Sequence, residues 1–237
     1  MRCRGVVLLA VSCATLGWAD NLSAADLPVG VEAPPPVVVP AYNWTGLYFG
    51  FSAGGGFGTS RKDFAPALGQ TATTTGDFSV GGALGGVFAG YNRQWGNFVG
   101  GIEADFSGTG IDGKTNCPNP RFTCETNTGW LATVRPRLGY VFGSSMVFVT
   151  GGLAVADVNV KSFVTTNGLG GVDFNSTTPG WTAGVGFETT IFPNWSVKAE
   201  YLYVQFEDTD VSSNVGTPTT TKLDENLVRA GLSYSFK

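Results

Sequence analysis

The sequence predicts an all-β fold, an eight-stranded antiparallel transmembrane up-and-down β-barrel. Three observations predict it: apolar and polar residues alternate from Trp44 onward, short and long connections alternate, and charges are confined to one face of otherwise apolar strands. Outer-membrane barrels have this pattern, with apolar residues toward lipid, polar residues inward, and short periplasmic turns opposite longer extracellular loops. Charged residues make up 14% of the chain, below the roughly one quarter that soluble domains carry.

The first 25 residues have the pattern of a cleaved secretory signal peptide. Arg2 and Arg4 precede an apolar stretch, residues 6–16, that is too short to span a bilayer. Small residues at −3 and −1 predict cleavage after Ala25, with Ala19 as the alternative site. We therefore expect an exported protein that ends in the outer membrane of a Gram-negative cell.

Residues 26–43 follow the signal peptide and contain five prolines and few charges. This composition is typical of a semi-extended segment, here expected in the periplasm, and the barrel is expected to occupy residues 44–237. Cleavage removes Arg2, Arg4 and Asp20 and leaves 12 basic and 17 acidic residues. This mild acidity argues against nucleic acid as a partner.

Eight segments alternate apolar and polar residues and are predicted to be strands. They are residues 44–58, 79–93, 97–109, 128–142, 146–160, 179–191, 195–206 and 226–236. Short turns at 94–97, 142–145 and 192–195 join them in pairs. The pairs are separated by long polar segments, residues 59–78, 110–127, 161–178 and 207–225, which are predicted to be loops. No long segment has apolar residues at the 3.6-residue spacing of a helix.

Five of these strands carry charges on the face opposite to their apolar face. In residues 130–140, Arg135 and Arg137 share one face, and Val134 and Leu138 lie on the other. Four acidic and four basic residues are thus predicted to pair inside the barrel: Glu103, Asp105, Arg135, Arg137, Glu188, Lys198, Glu200 and Arg229. An eight-stranded barrel is just wide enough for side chains to fill, so we expect no wide pore.

Aromatic residues near the strand ends are predicted to form the two interfacial girdles of a membrane barrel. They are Trp44, Tyr48, Tyr91, Trp95, Trp130, Tyr140, Trp181, Trp195, Tyr234 and Phe236. A soluble barrel, with its apolar face inward and its charges in water, explains the alternation of any one strand but explains these aromatic residues less well.

Cys117 and Cys124 are the two cysteines of the mature chain and lie in the segment CPNPRFTC, which is predicted to be a loop. In an exported protein a disulfide is the default interpretation. A zinc site is disfavoured because the chain has no histidine and no further mature cysteine. We expect no metal and no cofactor.

No catalytic constellation is predicted. Residues 108–115, GTGIDGKT, match a phosphate-loop pattern, but that pattern requires a following helix, which the two prolines in the next segment exclude. Without histidine there is no Ser-His-Asp or Cys-His arrangement. The inward acids each have a basic neighbour available, which favours structural pairing over acid–base catalysis.

Seven segments carry a family resemblance: NWTGLYFG (43–50), GGVFAGYNRQWGNFVGGIEADF (85–106), TVRPRLGYVF (133–142), VTGGLAVADV (149–158), GWTAGVGFE (180–188), PNWSVKAEYLYVQF (193–206) and LVRAGLSYSFK (227–237). Together they resemble the small outer-membrane immunogenic, porin-like proteins of alpha-proteobacteria, which have OmpA-type barrel domains. The resemblance covers nearly all of residues 43–237 and implies a barrel surrounded by outer-membrane lipid and lipopolysaccharide.

The resemblance also implies insertion by the barrel-assembly machinery, which reads an aromatic-rich last strand. Here that signal would be Val228, Ala230, Leu232, Tyr234 and Phe236. Family members usually end on the aromatic residue, whereas this chain continues to Lys237.

Proteins of this family are often described as surface antigens and envelope-stabilising proteins, so the resemblance implies a structural role without catalysis. Three alternatives remain open. One is a channel for small solutes, and a second is an adhesin or binding module that uses residues 59–78, 161–178 and 207–225. The third is a soluble lipid carrier of the periplasm.

Overall fold

The computed structural model describes residues 42–65, 72–164, 166, 171–212 and 218–236, which form one antiparallel sheet closed into a ring. The strands are β1 (Gly46–Phe64), β2 (Thr73–Trp95), β3 (Phe98–Asn116), β4 (Phe122–Phe142), β5 (Ser145–Val164), β6 (Gly171–Phe192), β7 (Trp195–Phe206), β8 (Thr209–Ser212) and β9 (Pro218–Phe236). The predicted signal peptide and most of the predicted segment 26–43 lie outside the described residues.

Each long strand pairs with the next, and β9 pairs with β1 to close the ring, with Ala230 opposite Ala53 and Phe236 opposite Leu47. The short β8 pairs only with the outer part of β9. Eight long strands therefore form the wall, and the predicted eight-stranded antiparallel barrel is confirmed. No helix in the described part of the chain is long and apolar enough to cross a membrane.

Three two-residue turns connect β2 to β3, β4 to β5 and β6 to β7. Each has one residue with positive φ, namely Gly96 (60°), Gly143 (63°) and Asn194 (70°). Glycine and asparagine adopt this conformation readily, and it matches the twist of the flanking strands. Because outer-membrane barrels keep their short turns in the periplasm, this end of the barrel is the periplasmic end.

The strands run further than the sequence predicts, so the prediction of long loops at 59–78, 110–127, 161–178 and 207–225 is wrong. β1 to β6 have 19 to 23 residues each, whereas a tilted strand crosses a membrane in about 9–11. Between β3 and β4 only residues 117–121 lie outside strands, and Cys124 belongs to β4. The barrel therefore continues as a β-structure beyond the membrane on its extracellular side.

The apolar face changes sides along β5, which explains this extension. Near the periplasmic end Val149 and Leu153 are exposed on the outside of the barrel. Further out, Asp157 and Lys161 occupy outward positions, and Val158 is buried inside. Within the membrane the outer face meets lipid, but beyond it that face meets water, and the interior must supply an apolar core of its own. In the sequence, a strand segment whose outward residues are polar resembles a loop.

Side chains fill the interior of the barrel in layers. The outer core, toward the extracellular end, consists of Phe78, Val80, Leu84, Ile111, Leu131, Ala154, Ala156, Val158, Val160, Leu202, Val204, Phe206, Leu223 and Leu227. The periplasmic cluster consists of Trp44, Val99, Val141, Met146 and Phe148. Glycine makes room for the largest of these side chains: a Cβ at Gly186 would lie 2.3 Å from the Phe148 ring. The predicted polar interior is thus interrupted by apolar clusters.

The outer surface carries an apolar belt that includes Trp95, Tyr140, Trp181 and Trp195, in agreement with the predicted girdles. The assignment of Trp44 and Tyr48 to a girdle is wrong, because both side chains are buried inside the barrel at 5% exposure. They sit where β1 enters the wall, and their alternation places them on the inward face. An exposed apolar belt of this extent is atypical of soluble proteins and contradicts the soluble-carrier alternative.

Candidate functional site in the barrel interior

All eight charged residues that the sequence predicts for the interior lie on the inward face, and each is at most 5% exposed. They come from five strands, β3, β4, β6, β7 and β9. We call this set, Glu103, Asp105, Arg135, Arg137, Glu188, Lys198, Glu200 and Arg229, the charged layer. Alternation along each strand puts them on the inward face. The strand register puts them at similar depth, with Glu103 opposite Arg135, Glu188 opposite Lys198 and Glu200 opposite Arg229.

Glu103 of β3 is the most connected carboxylate of the charged layer. Its Oε1 lies 2.8 Å from Lys198 Nζ and 2.8 Å from Arg135 Nη2. Its Oε2 accepts a hydrogen bond of 2.9 Å from the Tyr48 hydroxyl and lies 3.4 Å from Arg137 Nη1. Three cations and one phenol therefore share one carboxylate.

Arg135 and Arg229 hold the two neighbouring carboxylates, Asp105 and Glu200. Arg135 Nη2 lies 2.9 Å from Asp105 Oδ2, and its Nη1 lies 3.3 Å from Glu200 Oε2. Arg229 reaches the same pair, with Nη1 2.9 Å from Asp105 Oδ1 and Nη2 2.8 Å from Glu200 Oε1. The planar guanidinium group suits such multiple contacts because its donors point in fixed directions.

Arg137 connects the charged layer to the periplasmic cluster. Its Nη2 lies 2.7 Å from Glu188 Oε2, and its guanidinium carbon is 4.0 Å from the centre of the Phe148 ring. A comparable contact places Lys198 Nζ 3.5 Å from the centre of the Phe88 ring. These cation–π contacts place the two charges directly against aromatic side chains.

Hydroxyl groups complete the charged layer, and none of them is among the residues predicted for the interior. Tyr48 donates to Glu103, Thr133 donates to Asp105, and Ser196 donates to Glu188 at 2.6 Å. Thr133 and Ser196 each lie two residues before a predicted charge, Arg135 and Lys198, so alternation alone could have placed them inside. Buried polar groups require such partners, because an unpaired group loses its hydration without compensation.

The charged layer is a network of ion pairs that joins strands across the interior. Each of its four cations lies within 4.0 Å of at least one carboxylate. Among the residues that the structure describes, no group of three or more His, Cys, Asp or Glu side chains could hold a metal ion.

A second group of buried polar residues, which includes Lys62, Thr128 and Glu225, lies further out, toward the extracellular end. Lys62 Nζ donates a hydrogen bond of 2.6 Å to the Glu125 carbonyl, and the Thr128 hydroxyl donates one of 2.7 Å to Glu225. Lys62 lies five residues beyond Phe57, the last outward apolar residue of β1, which is about 16 Å along the strand and outside the membrane. Burial lowers the pKa of Lys62 from its ordinary 10.5 to about 8, against an opposing attraction to Glu125.

The other two predicted sets lie away from the charged layer. Cys117 and Cys124 form a disulfide, as predicted, with their Cα atoms 5.2 Å apart at the extracellular end of the β3–β4 hairpin. In β9, Val228, Ala230, Leu232 and Phe236 are exposed on the outer face, and Tyr234 is partly exposed. Lys237 lies outside the described residues.

A closed eight-stranded barrel with an apolar outer belt and an ion-paired interior defines an integral outer-membrane β-barrel protein. Residues 27–236 match the family described as Outer membrane protein beta-barrel domain, and the chain belongs to this family.

Sequence relatives confirm the resemblance to outer-membrane proteins of alpha-proteobacteria. The chain is 34% identical over 229 residues to the 31 kDa outer-membrane immunogenic protein of Brucella melitensis biotype 1, covering 92% of this chain and 95% of that protein. It is 31% identical over 209 residues to the 22 kDa outer membrane protein of Rhizobium leguminosarum bv. viciae, covering 86% and 82%. The location of this protein in the outer membrane follows from these relatives and from the family.

A solved structure of similar fold is the outer membrane protease OmpT from Escherichia coli. The TM-score is 0.50 at 10% sequence identity, and the match covers 81% of this chain and 97% of that chain. At this identity the likeness concerns the fold alone.

Proposed function

We propose that this protein is a structural component of the outer membrane that stabilises the envelope and presents its extracellular end as a surface antigen, without catalytic activity. The observation that carries the proposal is the filled interior. The charged layer is stacked between the outer core and the periplasmic cluster, and all three consist of buried side chains.

This packing argues against the alternative of a channel for small solutes. A solute would have to displace apolar side chains at both ends and separate ion pairs such as Arg135 with Asp105 and Arg229 with Glu200 in the middle. Removing one partner of a buried pair typically costs about 3–5 kcal/mol. Opening a path would require several such separations at once.

Presentation at the surface is supported by the continuation of the barrel strands beyond the membrane. Its outward face carries cross-strand ion pairs, Lys114 with Glu125 at 3.6 Å and Lys161 with Asp173 at 3.5 Å. Such exposed pairs contribute little to stability but keep this face hydrated. A role as adhesin would use the same extracellular end, in residues 59–78, 161–178 and 207–225.

The partners of this function are also proposals. Lipid and lipopolysaccharide would surround the apolar belt and the extracellular rim. The barrel-assembly machinery would insert the chain by its last strand, β9, whose outward residues include Val228, Leu232 and Phe236. Replacement of Phe236 by serine should then reduce the amount of protein inserted in the membrane without affecting its export.

The test is a deletion strain complemented with the wild-type gene. We expect the deletion to release a periplasmic marker enzyme and to increase sensitivity to detergent, and complementation to reverse both. An intact envelope in the deletion strain, together with slower uptake of a small solute, would contradict a structural role and favour the channel. Whole-cell binding to host material that is lost on replacement of residues 66–71 and 213–217 would favour the adhesin.

A further inference from the structure

Arg93 is a cation on the outer surface of the barrel near its periplasmic end. It lies on the outward face of β2, two residues before Trp95 and the turn at Gly96, and it is exposed. Its cross-strand neighbour is Gly100 of β3. Its level therefore corresponds to the headgroups of the periplasmic leaflet.

Arg93 differs from the other basic residues that point outward from the strands. Those four lie in the extension beyond the membrane, and each has a carboxylate nearby: Arg61 with Asp63 at 2.9 Å, Lys114 with Glu125 at 3.6 Å, Lys161 with Asp173 at 3.5 Å, and Lys222 with Asp208 at 3.6 Å. In the part of the chain that the structure describes, no carboxylate lies within 4.0 Å of Arg93. The charge is thus available to an anion from outside.

An apolar groove of about 940 Å³ lies on the lipid-facing surface, and Trp95, two residues beyond Arg93, is one of its lining residues. Its wall includes Trp95, Phe98, Leu138, Tyr140 and Phe187. Gly100 lies in its floor, where a Cβ atom would come 3.0 Å from the Trp95 ring, so the absence of a side chain lets the indole lie over the sheet. The groove follows the outer surface from β2 across β3 to β7 and reaches β9, so its volume is spread along the apolar belt.

Trp95 connects the cation to the groove. The Arg93 guanidinium carbon is 5.4 Å from the centre of the indole ring, which itself lines the groove. At the same end, Asn97 donates a hydrogen bond of 3.4 Å to the Tyr140 hydroxyl. Polar groups therefore lie at the level of the lipid headgroups. Apolar surface extends from them toward the middle of the membrane, so the order matches the polar head and apolar chains of a phospholipid.

We propose that Arg93 and this groove bind an anionic phospholipid of the periplasmic leaflet. The guanidinium receives the phosphate through charge-assisted hydrogen bonds, for which its planar fork is suited. One acyl chain lies in the groove over Gly100 and against Trp95. The unpaired charge favours an anionic over a zwitterionic headgroup, because the latter carries its own cation beside the phosphate. This proposal does not depend on the closed interior.

The test is native mass spectrometry of the purified barrel in detergent, titrated separately with phosphatidylglycerol, phosphatidylethanolamine and inorganic phosphate. We expect phosphatidylglycerol to bind about tenfold more tightly than phosphatidylethanolamine, as one charge-assisted contact allows, and inorganic phosphate not to bind. Arg93→Gln should abolish the preference, and Arg93→Lys should retain part of it. Gly100→Leu, which fills the floor of the groove, should weaken the binding of both lipids.

Arg61→Gln is the matched control, since it removes an outward arginine at the other end of the barrel and should leave lipid binding unchanged. Each variant is first checked for the compact, heat-sensitive gel band of a folded barrel. Equal binding of the two lipids by the wild type would overturn the proposal without reference to any variant. It would also be overturned by an unchanged preference in Arg93→Gln, or by a dimer that excludes lipid from the groove.

Discussion

Lys198 lies directly opposite Glu188 in the register of β6 and β7, yet its ammonium group contacts Glu103 on the other side of the lumen, at 2.8 Å. Glu188 contacts Arg137 of β4 instead, at 2.7 Å. Ion pairs therefore cross the interior rather than joining only neighbouring strands. Each such pair resists separation of strands that share no backbone hydrogen bonds.

Removal of Arg135 should destabilise the barrel strongly, because this side chain contacts three carboxylates, Glu103, Asp105 and Glu200, and is fully buried. In Arg135→Met we expect the free energy of unfolding to fall by about 3–5 kcal/mol, the usual effect of breaking a buried pair. The measurement is urea unfolding in lipid vesicles, followed by the loss of the compact band on unboiled gels.

Lys161→Met is the control for this loss, since it removes an exposed cation 3.5 Å from Asp173. Its effect should stay below about 1 kcal/mol, as for exposed ion pairs generally. Equal effects of the two substitutions would show that the charged layer contributes no more than a surface pair.

The change of apolar face along β5 predicts a pattern of chemical labelling. Single cysteines in a background without Cys117 and Cys124 should react with a membrane-impermeant maleimide on whole cells at Lys161 but not at Leu153 or Val160. Lys161 points into water, Leu153 into lipid and Val160 into the outer core. Labelling at Val160 would mean that water enters the barrel beyond the membrane, and no labelling at Lys161 would mean that this end is not outside the cell.

Because Lys62 is buried, the free energy of unfolding should depend on pH above pH 8. The folded protein releases this proton near pH 8 and the unfolded chain near 10.5. Between these values the unfolded chain binds more protons, so the free energy of unfolding rises with pH. The penalty for burying the charge is complete below pH 8 and is relieved as the pH approaches 10.

Lys62→Met measures this contribution, because other groups that titrate in the same range cancel in the difference between the two proteins. The variant should gain stability relative to the wild type at pH 7, and this advantage should shrink between pH 8 and pH 10 in urea titrations. A difference that stays constant over that range would show that Lys62 is hydrated.

The disulfide between Cys117 and Cys124 should stabilise the outer end of one hairpin without being needed for the barrel. It closes a short loop, with a sequence separation of 7, and chain entropy then predicts about 2 kcal/mol. A reductant should lower the urea midpoint of the wild type and leave the double variant Cys117→Ser, Cys124→Ser unaffected. Loss of the compact gel band on reduction would contradict this limited role.

Local alternation predicted the barrel, its short turns and the eight members of the charged layer. It succeeded for Arg135 and Arg137 because lipid on one side and a narrow interior on the other impose one period along the membrane-spanning part of each strand. It failed for residues such as Lys161, where the same strand leaves the membrane and its outward face becomes polar. When the alternation of the membrane-spanning part alone is used as the criterion, this segment is predicted to be a loop.

The partners within the charged layer could not be predicted from sequence, because they depend on which side chains reach across the lumen. Register places Glu188 beside Lys198, but side-chain length and the Phe88 ring direct Lys198 elsewhere. Tyr48 was assigned to a girdle because an aromatic residue near a strand end suits either environment. Its hydroxyl, 2.9 Å from Glu103, shows that it belongs to the interior.

The closed interior is tested most directly by the conductance of the purified, folded barrel in a planar lipid bilayer. With the charged layer and both apolar clusters in place, we expect a current that stays at the baseline at neutral pH, for the wild type and for Lys161→Met alike. Reproducible, long-lived conductance steps from the wild type, in samples that show the compact gel band, would contradict it and establish a continuous path through the barrel.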